Sequence, residues 1–159
     1  MNGEAEKFKT EQRVFLAFAQ TIGLNTNHLH IEKGDPTQGE PDIRCHTQGR
    51  VQYFELTEAC NPALAAAKQP DHSASVNDGI HNARQTVIKK LTKRYRVAEP
   101  IDLVIYTAGQ TLATDTAIVA AIKPLLSNDL GPFKNIWFFG KQTELLASTA
   151  PRNNPAPSA

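Results

Sequence analysis

Two short apolar runs, Ile101 to Thr107 and Asn135 to Phe139, constrain the fold of this chain more than any other feature. Neither alternates polar and apolar residues as a strand with one wet face would. Both therefore read as strands covered on both sides, which requires helices packed over each face of the sheet. The helices are present in the pattern. Residues from about 4 to 22 repeat Phe8, Phe15, Phe18 or Ala19 and Ile22 at helical spacing, and Gly23 is placed to end that helix. A second helix is predicted over about 75 to 95, with Ile80, Ala83, Val87, Leu91 and Tyr95 inward, and a third from Thr111 to Ser127, with Pro124 near its end.

Between the first two helices the periodicity shifts to that of strands. His28 to Lys33 alternates, Asp42 to His46 and Val51 to Ala59 follow, and Thr47-Gln48-Gly49 is a tight turn joining the last two. Connections this short give an antiparallel meander. The element order is thus helix, three strands, helix, strand, helix, strand, which predicts a three-layer α/β/α sandwich with a mixed central sheet. One domain is expected over residues 1–148, with a disordered tail over 149–159 carrying Pro151, Pro155 and Pro157; the stretch from Asn61 to Ser75 reads as a mobile loop.

The meander also carries the chemistry. Asp42 heads the second strand in Gly39-Glu40-Pro41-Asp42-Ile43, and Glu55 lies within the third, in Val51-Gln52-Tyr53-Phe54-Glu55-Leu56-Thr57. A carboxylate inside a strand is expensive to bury without a partner. Two carboxylates on adjacent strands offer the hard oxygen ligands that hold Mg²⁺ beside a phosphate, and the pair points to a nuclease-like metal site. Glu55 and Thr57 share a face by alternation. Glu11, on the apolar stripe of the first helix, becomes a third oxygen ligand if that helix packs over the same face; the alternative is that its carboxylate bends out to solvent.

At these residues the chain resembles the PD-(D/E)XK nuclease superfamily, which includes many restriction endonucleases and Holliday-junction resolvases. Pro41-Asp42 matches the PD element, Glu55-Leu56-Thr57 matches the second element in its acid, and Glu11 corresponds to the first-helix acid of many members. The resemblance covers roughly residues 4 to 107 and departs from the family at Thr57, where a lysine is usual. It implies a restriction-endonuclease-like fold and Mg²⁺- or Mn²⁺-dependent hydrolysis of DNA phosphodiester bonds. Asp42, Glu55 and Glu11 would hold the metal and Thr57 would position water. Since many members dimerise to cut both strands, a homodimer is compatible with it.

Threonine carries no charge, so a cation must come from elsewhere, and some family members draw theirs from a neighbouring element. At about 100° per residue, Arg84 falls within the stripe of Ile80, Val87 and Leu91, whereas Lys90 is lateral and Lys89 opposite. Arg84 is thus the expected phosphate clamp, and His81 a candidate for acid-base work. Each also has a plain reading: Arg84 snorkels to the surface over its own stem, and His81 is an edge residue. The basic cluster Lys89, Lys90, Lys93, Arg94 and Arg96 suits either a phosphate backbone or an ordinary solvated face.

Competing chemistries find less support. The five histidines lack the spacing of a zinc site, and there is no glycine-rich phosphate loop or nucleophile motif. Cys45 and Cys60 read as buried thiols in a reducing compartment, and no apolar run reaches the length of a membrane span, so a cytoplasmic protein without membrane attachment is expected. Two further readings stay open. One is a degenerate nuclease-like module that binds nucleic acid or a protein, favoured by the missing lysine; the other is an unrelated small α/β enzyme with a pocket at the strand ends.

Overall fold

The structure, a computed structural model, describes residues 3–59, 76–107 and 113–149. It contains helices α1 (Gly3–Thr21), α2 (Val76–Leu91) and α3 (Asp115–Ile122), and strands β1 (His30–Lys33), β2 (Ile43–Thr47), β3 (Arg50–Glu58), β4 (Ile101–Tyr106), β5 (Asn135–Phe139) and β6 (Thr143–Ser148). The strands form one six-stranded mixed sheet in chain order. β1, β2 and β3 run antiparallel as the predicted meander, β3, β4 and β5 are parallel, and β6 turns back antiparallel on β5. The expected loop from Asn61 to Ser75, Cys60, His72 and the tail beyond Thr149 lie outside the described residues.

The turn between β2 and β3 has the predicted place and tightness. Gln48 (φ 47°) and Gly49 (φ 77°) both take positive φ between the paired residues Thr47 and Arg50, the two-residue geometry whose twist matches an antiparallel hairpin. That turn sets the register Ile43 to Phe54, and the register decides where the two acids meet.

Alternation along β3 sends Phe54 and Leu56 to one face and Tyr53, Glu55 and Thr57 to the other. α1 covers the first face, where Phe15, Phe18 and Ala19 pack with Ile43, Cys45, Phe54, Leu56 and Val104. Phe15 and Phe54 have ring centroids 4.7 Å apart, and Phe18 meets Trp137 at 5.5 Å. α2 and α3 cover the second face, with Ala83, Val87, Ile118 and Ile122 against Tyr53, Leu103, Ile105, Ile136 and Phe138. This corrects one expectation: α1 lies across the sheet from Glu55, not over it, because its phenylalanines follow Phe54 and Leu56.

Other boundaries shift for local reasons. α2 stops at Leu91 rather than near residue 95, because the chain turns outward and the Arg96 N–H donates to the Gly39 carbonyl at 2.8 Å. α3 is shorter than expected: Thr114 caps it through the Ala117 N–H, and Pro124 converts the stretch Lys123–Leu126 to a tighter turn. β6 has no counterpart in the sequence reading. It is an edge strand with only a short apolar centre, and Leu145 is 45% exposed. Within the apolar run of β4, Asp102 is buried on the α1 face and accepts hydrogen bonds from Trp137 Nε1 (2.9 Å) and Asn135 Nδ2 (3.1 Å). Cys45 is a buried thiol outside any disulfide.

Candidate metal-ion and phosphate site

Pairing between β2 and β3 ends at Ile43 and Phe54, and the next residues out are Asp42 and Glu55. There the two side chains take over from the ladder. The Asp42 N–H donates to Glu55 Oε2 at 3.2 Å, and the Leu56 N–H donates to Asp42 Oδ2 at 3.0 Å. Each carboxylate satisfies a backbone donor of the other's segment, so the acids converge instead of facing opposite sides of the sheet.

They line a hollow of about 190 Å³ at this opening. Its walls come from α1 (Lys7, Glu11), from the β1–β2 loop (Gly34, Glu40) and from α2 and the turn after it (Lys90, Lys93). The loop is held tightly. The Gly34 N–H donates to the Asp42 carbonyl at 2.9 Å, and a β-carbon at Gly34 would lie 1.6 Å from the Pro41 carbonyl oxygen. Glu40 accepts from the Asp35 N–H at 2.8 Å and from Arg44 Nη1 at 3.2 Å, and the Arg96 bond to Gly39 ties the loop to the chain after α2.

Glu11 is 7% exposed and within 3.4 Å of Lys7 Nζ, so its place on the apolar stripe reflects an inward carboxylate. Burial, opposed by Lys7 and reinforced by Glu55, raises its pKa above the usual range. The Asp42 pKa is pushed up to about 6, first by burial and then by the fields of Glu55 and Glu11. Burial alone would lower the pKa of Lys7, but Glu11, Asp42 and Glu55 outweigh it and hold the ammonium charged beyond its ordinary range. Three acids share one corner at an electrostatic cost.

The cation at Glu55 is the main departure from the sequence reading. Glu55 is 1% exposed, and its Oε1 is 2.7 Å from Lys90 Nζ and 3.3 Å from Lys93 Nζ. Arg84 and His81 are exposed on α2 and do not line the hollow. The wheel was centred on the large residues Ile80, Val87 and Leu91. Yet Ala83 and Val87 are the fully buried pair, while Ile80 and Leu91 are only partly buried. Centred on Ala83 and Val87, the stripe passes within roughly 40° of Lys90 and leaves Arg84 roughly 80° away at about 100° per residue. Thr57 is buried on Glu55's face but is not among the residues lining the hollow.

Beneath Lys93 lies Tyr95, its ring centroid 5.0 Å from Lys93 Nζ and 6.0 Å from the Phe133 ring. Burial and then the neighbouring Glu55 carboxylate raise the pKa of this phenol well above its ordinary value. Its buried hydroxyl comes near enough to the Glu55 carboxylate to feel it, yet completes no hydrogen bond by geometry among the described residues.

The donor chemistry suits a hard divalent cation. Mg²⁺ typically takes one or two carboxylates and keeps several waters, so Asp42 and Glu55 suffice in kind. Among the described residues, no group of three or more His, Cys, Asp and Glu side chains is arranged as a ready metal cluster, and Glu55 Oε1 is engaged by two ammonium groups. The arrangement is a pair of converging acids of which Glu55 carries two lysine counter-ions, Lys90 and Lys93.

No helix among the described residues is long and apolar enough to cross a membrane. Comparison with protein-family models, with curated proteins and with solved structures gives no match.

Proposed function

We propose that the chain is a restriction-endonuclease-like α/β/α domain that hydrolyses DNA phosphodiester bonds with Mg²⁺ or Mn²⁺. The observation that carries this reading is the meeting of Asp42, Glu55 and Lys90 in one hollow, where the sheet opens between β2 and β3. Asp42 and Glu55 would hold the cation, with Glu11 assisting from α1. A cation held there polarises a phosphate oxygen and lowers the pKa of a bound water. Lys90 would supply the positive charge that Thr57 lacks, and with Lys93 it would offset the charge developing on the phosphate. Lys7 and Lys33 also stand at the rim, but each is paired with an acid there, Lys7 with Glu11 and Lys33 with Glu4, so a phosphate would be drawn mainly by the bound cation and by Lys90 and Lys93.

The test is Mn²⁺-dependent cleavage of single-stranded, duplex and branched DNA by the wild type, Asp42→Asn, Glu55→Gln and Lys90→Met. Cleavage lost in all three variants supports the assignment, and full cleavage by Glu55→Gln overturns it. A second reading has its own observation: with two ammonium groups on one Glu55 oxygen, the acids are already neutralised without metal. On that reading the domain is a catalytic relic that binds nucleic acid or a protein. It requires DNA binding or partner capture unaffected by Mg²⁺ and Mn²⁺, with no cleavage under any condition.

A further inference from the structure

A buried hydroxyl without a hydrogen bond is costly, and in a well-packed protein it calls for an explanation. Tyr95 OH is such a group, and it lies at the site rather than in a remote part of the core. The Lys93 ammonium is shared between Glu55 Oε1 at 3.3 Å and the face of the Tyr95 ring at 5.0 Å, so the ring and the carboxylate flank the same cation. Glu55 Oε1 receives Lys90 as well, and Oε2 receives the Asp42 N–H. The phenol is therefore a donor standing beside a carboxylate whose Oε1 is taken by two ammonium groups and whose Oε2 already receives a backbone N–H.

We propose that Tyr95 is a positioning residue: its hydroxyl donates to Glu55 once Lys90 and Lys93 turn from the carboxylate to the phosphate, and so keeps Glu55 aimed at a divalent cation. The inference rests on the metal-site reading above. It accounts for two features together, the orphaned hydroxyl in the lysine-paired state and the use of Glu55 by two lysines at once. When the ammonium groups leave, a carboxylate that is 1% exposed loses its charged partners in a corner of low solvent access, and a donor fixed within the protein holds its orientation where a water would not. Tyr95 provides it without adding charge, so the site's net charge stays suited to a metal. The packing of its ring on Phe133 fixes where the hydroxyl points.

The test is Tyr95→Phe, read by thermal unfolding without metal and by calorimetric titration with Mn²⁺. Phenylalanine keeps the ring contacts and removes the unpartnered hydroxyl, so the metal-free variant is expected to melt about 2–4 °C higher than wild type. Its Mn²⁺ affinity is expected to fall about tenfold, the scale of loss when a partner that orients a metal ligand is removed. A merely structural tyrosine would not move these two readouts in opposite directions. Wild-type Mn²⁺ affinity in Tyr95→Phe overturns the role of Tyr95 and leaves the metal site standing. A lower melting temperature without metal also overturns it, because the hydroxyl would then be partnered in the resting state. If wild type itself takes up no Mn²⁺, the metal reading fails and this inference fails with it.

Discussion

Asp42→Asn should make the metal-free protein more stable at neutral pH. The side chain is held where burial, Glu55 and Glu11 raise its pKa from 3.8 to about 6. At about 1.36 kcal/mol per unit, that difference corresponds to roughly 3 kcal/mol of folding stability forfeited when the carboxyl ionises. Asparagine has nearly the same shape, and its Oδ1 can still accept the Leu56 N–H that now reaches Asp42 Oδ2 at 3.0 Å. The native state holds its proton to higher pH than the unfolded chain. The penalty is therefore absent below about pH 4, grows as pH rises through 6, and is complete above about 7. In a domain of this size, 3 kcal/mol corresponds to an upper bound of about 5–10 °C in melting temperature. Differential scanning calorimetry of both proteins at pH 4, 6 and 8, without and with 10-fold steps of Mg²⁺, measures it. The variant should gain most at pH 8 and little at pH 4, where the unfolded carboxyl has only begun to ionise, and Mg²⁺ should narrow the gap by stabilising only the wild type. A variant no more stable than wild type at pH 8, or equally stabilised at both extremes, would refute the electrostatic reasoning.

Lys90→Met leaves buried Glu55 with Lys93 alone and should cost about 2–4 kcal/mol in urea unfolding near pH 7, since breaking a buried ion pair strands a charge. Arg84→Met, on the exposed face of the same helix, should change stability by less than ~0.5 kcal/mol and leave any cleavage intact; a large loss there would restore Arg84 to the site. Gly34→Ala forces a β-carbon to within 1.6 Å of the Pro41 carbonyl, so the loop must move; we expect a loss of about 3 kcal/mol or more by denaturant titration, with weakened Mn²⁺ binding because Asp42 moves with it. Phe15→Ala removes a fully buried ring packed at a tilt against Phe54 and should cost about 3–5 kcal/mol without altering metal affinity measured below the melting range.

The sheet was legible where the chain itself enforces a period. The turn at Gln48-Gly49, the alternation through Val51 to Thr57 and the covered runs at Ile101 and Asn135 each leave a local imprint, and they place Asp42 opposite Glu55 without knowledge of the tertiary structure. β6 left no such imprint, because an edge strand half open to solvent has no need of an apolar run. Asp102 was hidden for the converse reason: its partners Asn135 and Trp137 are 33 and 35 residues away, so nothing nearby in sequence marks it as satisfied. The site's cations were legible in kind but not in identity. A helical wheel treats large aliphatic residues as the centre of burial, whereas α2 sits closest to the sheet along Ala83, where a small side chain allows close approach. Weighting Ala83 equally with Val87 would have selected Lys90. Tyr95 was read as inward, and it does pack on the core, but its place beside Glu55 could not be found in this way, since it lies beyond the helix end at Leu91.

The opening between β2 and β3 is kept by the same two carboxylates that line it. Each acid captures a main-chain donor of the other's segment where the ladder has ended, so the acids act as a fastening as well as a lining. A chain that lost both would strand the Asp42 and Leu56 N–H groups in a half-closed corner, while Pro41, which has no N–H, could not continue the ladder in their place. The hollow and the fastening of the strands around it therefore stand or fall together.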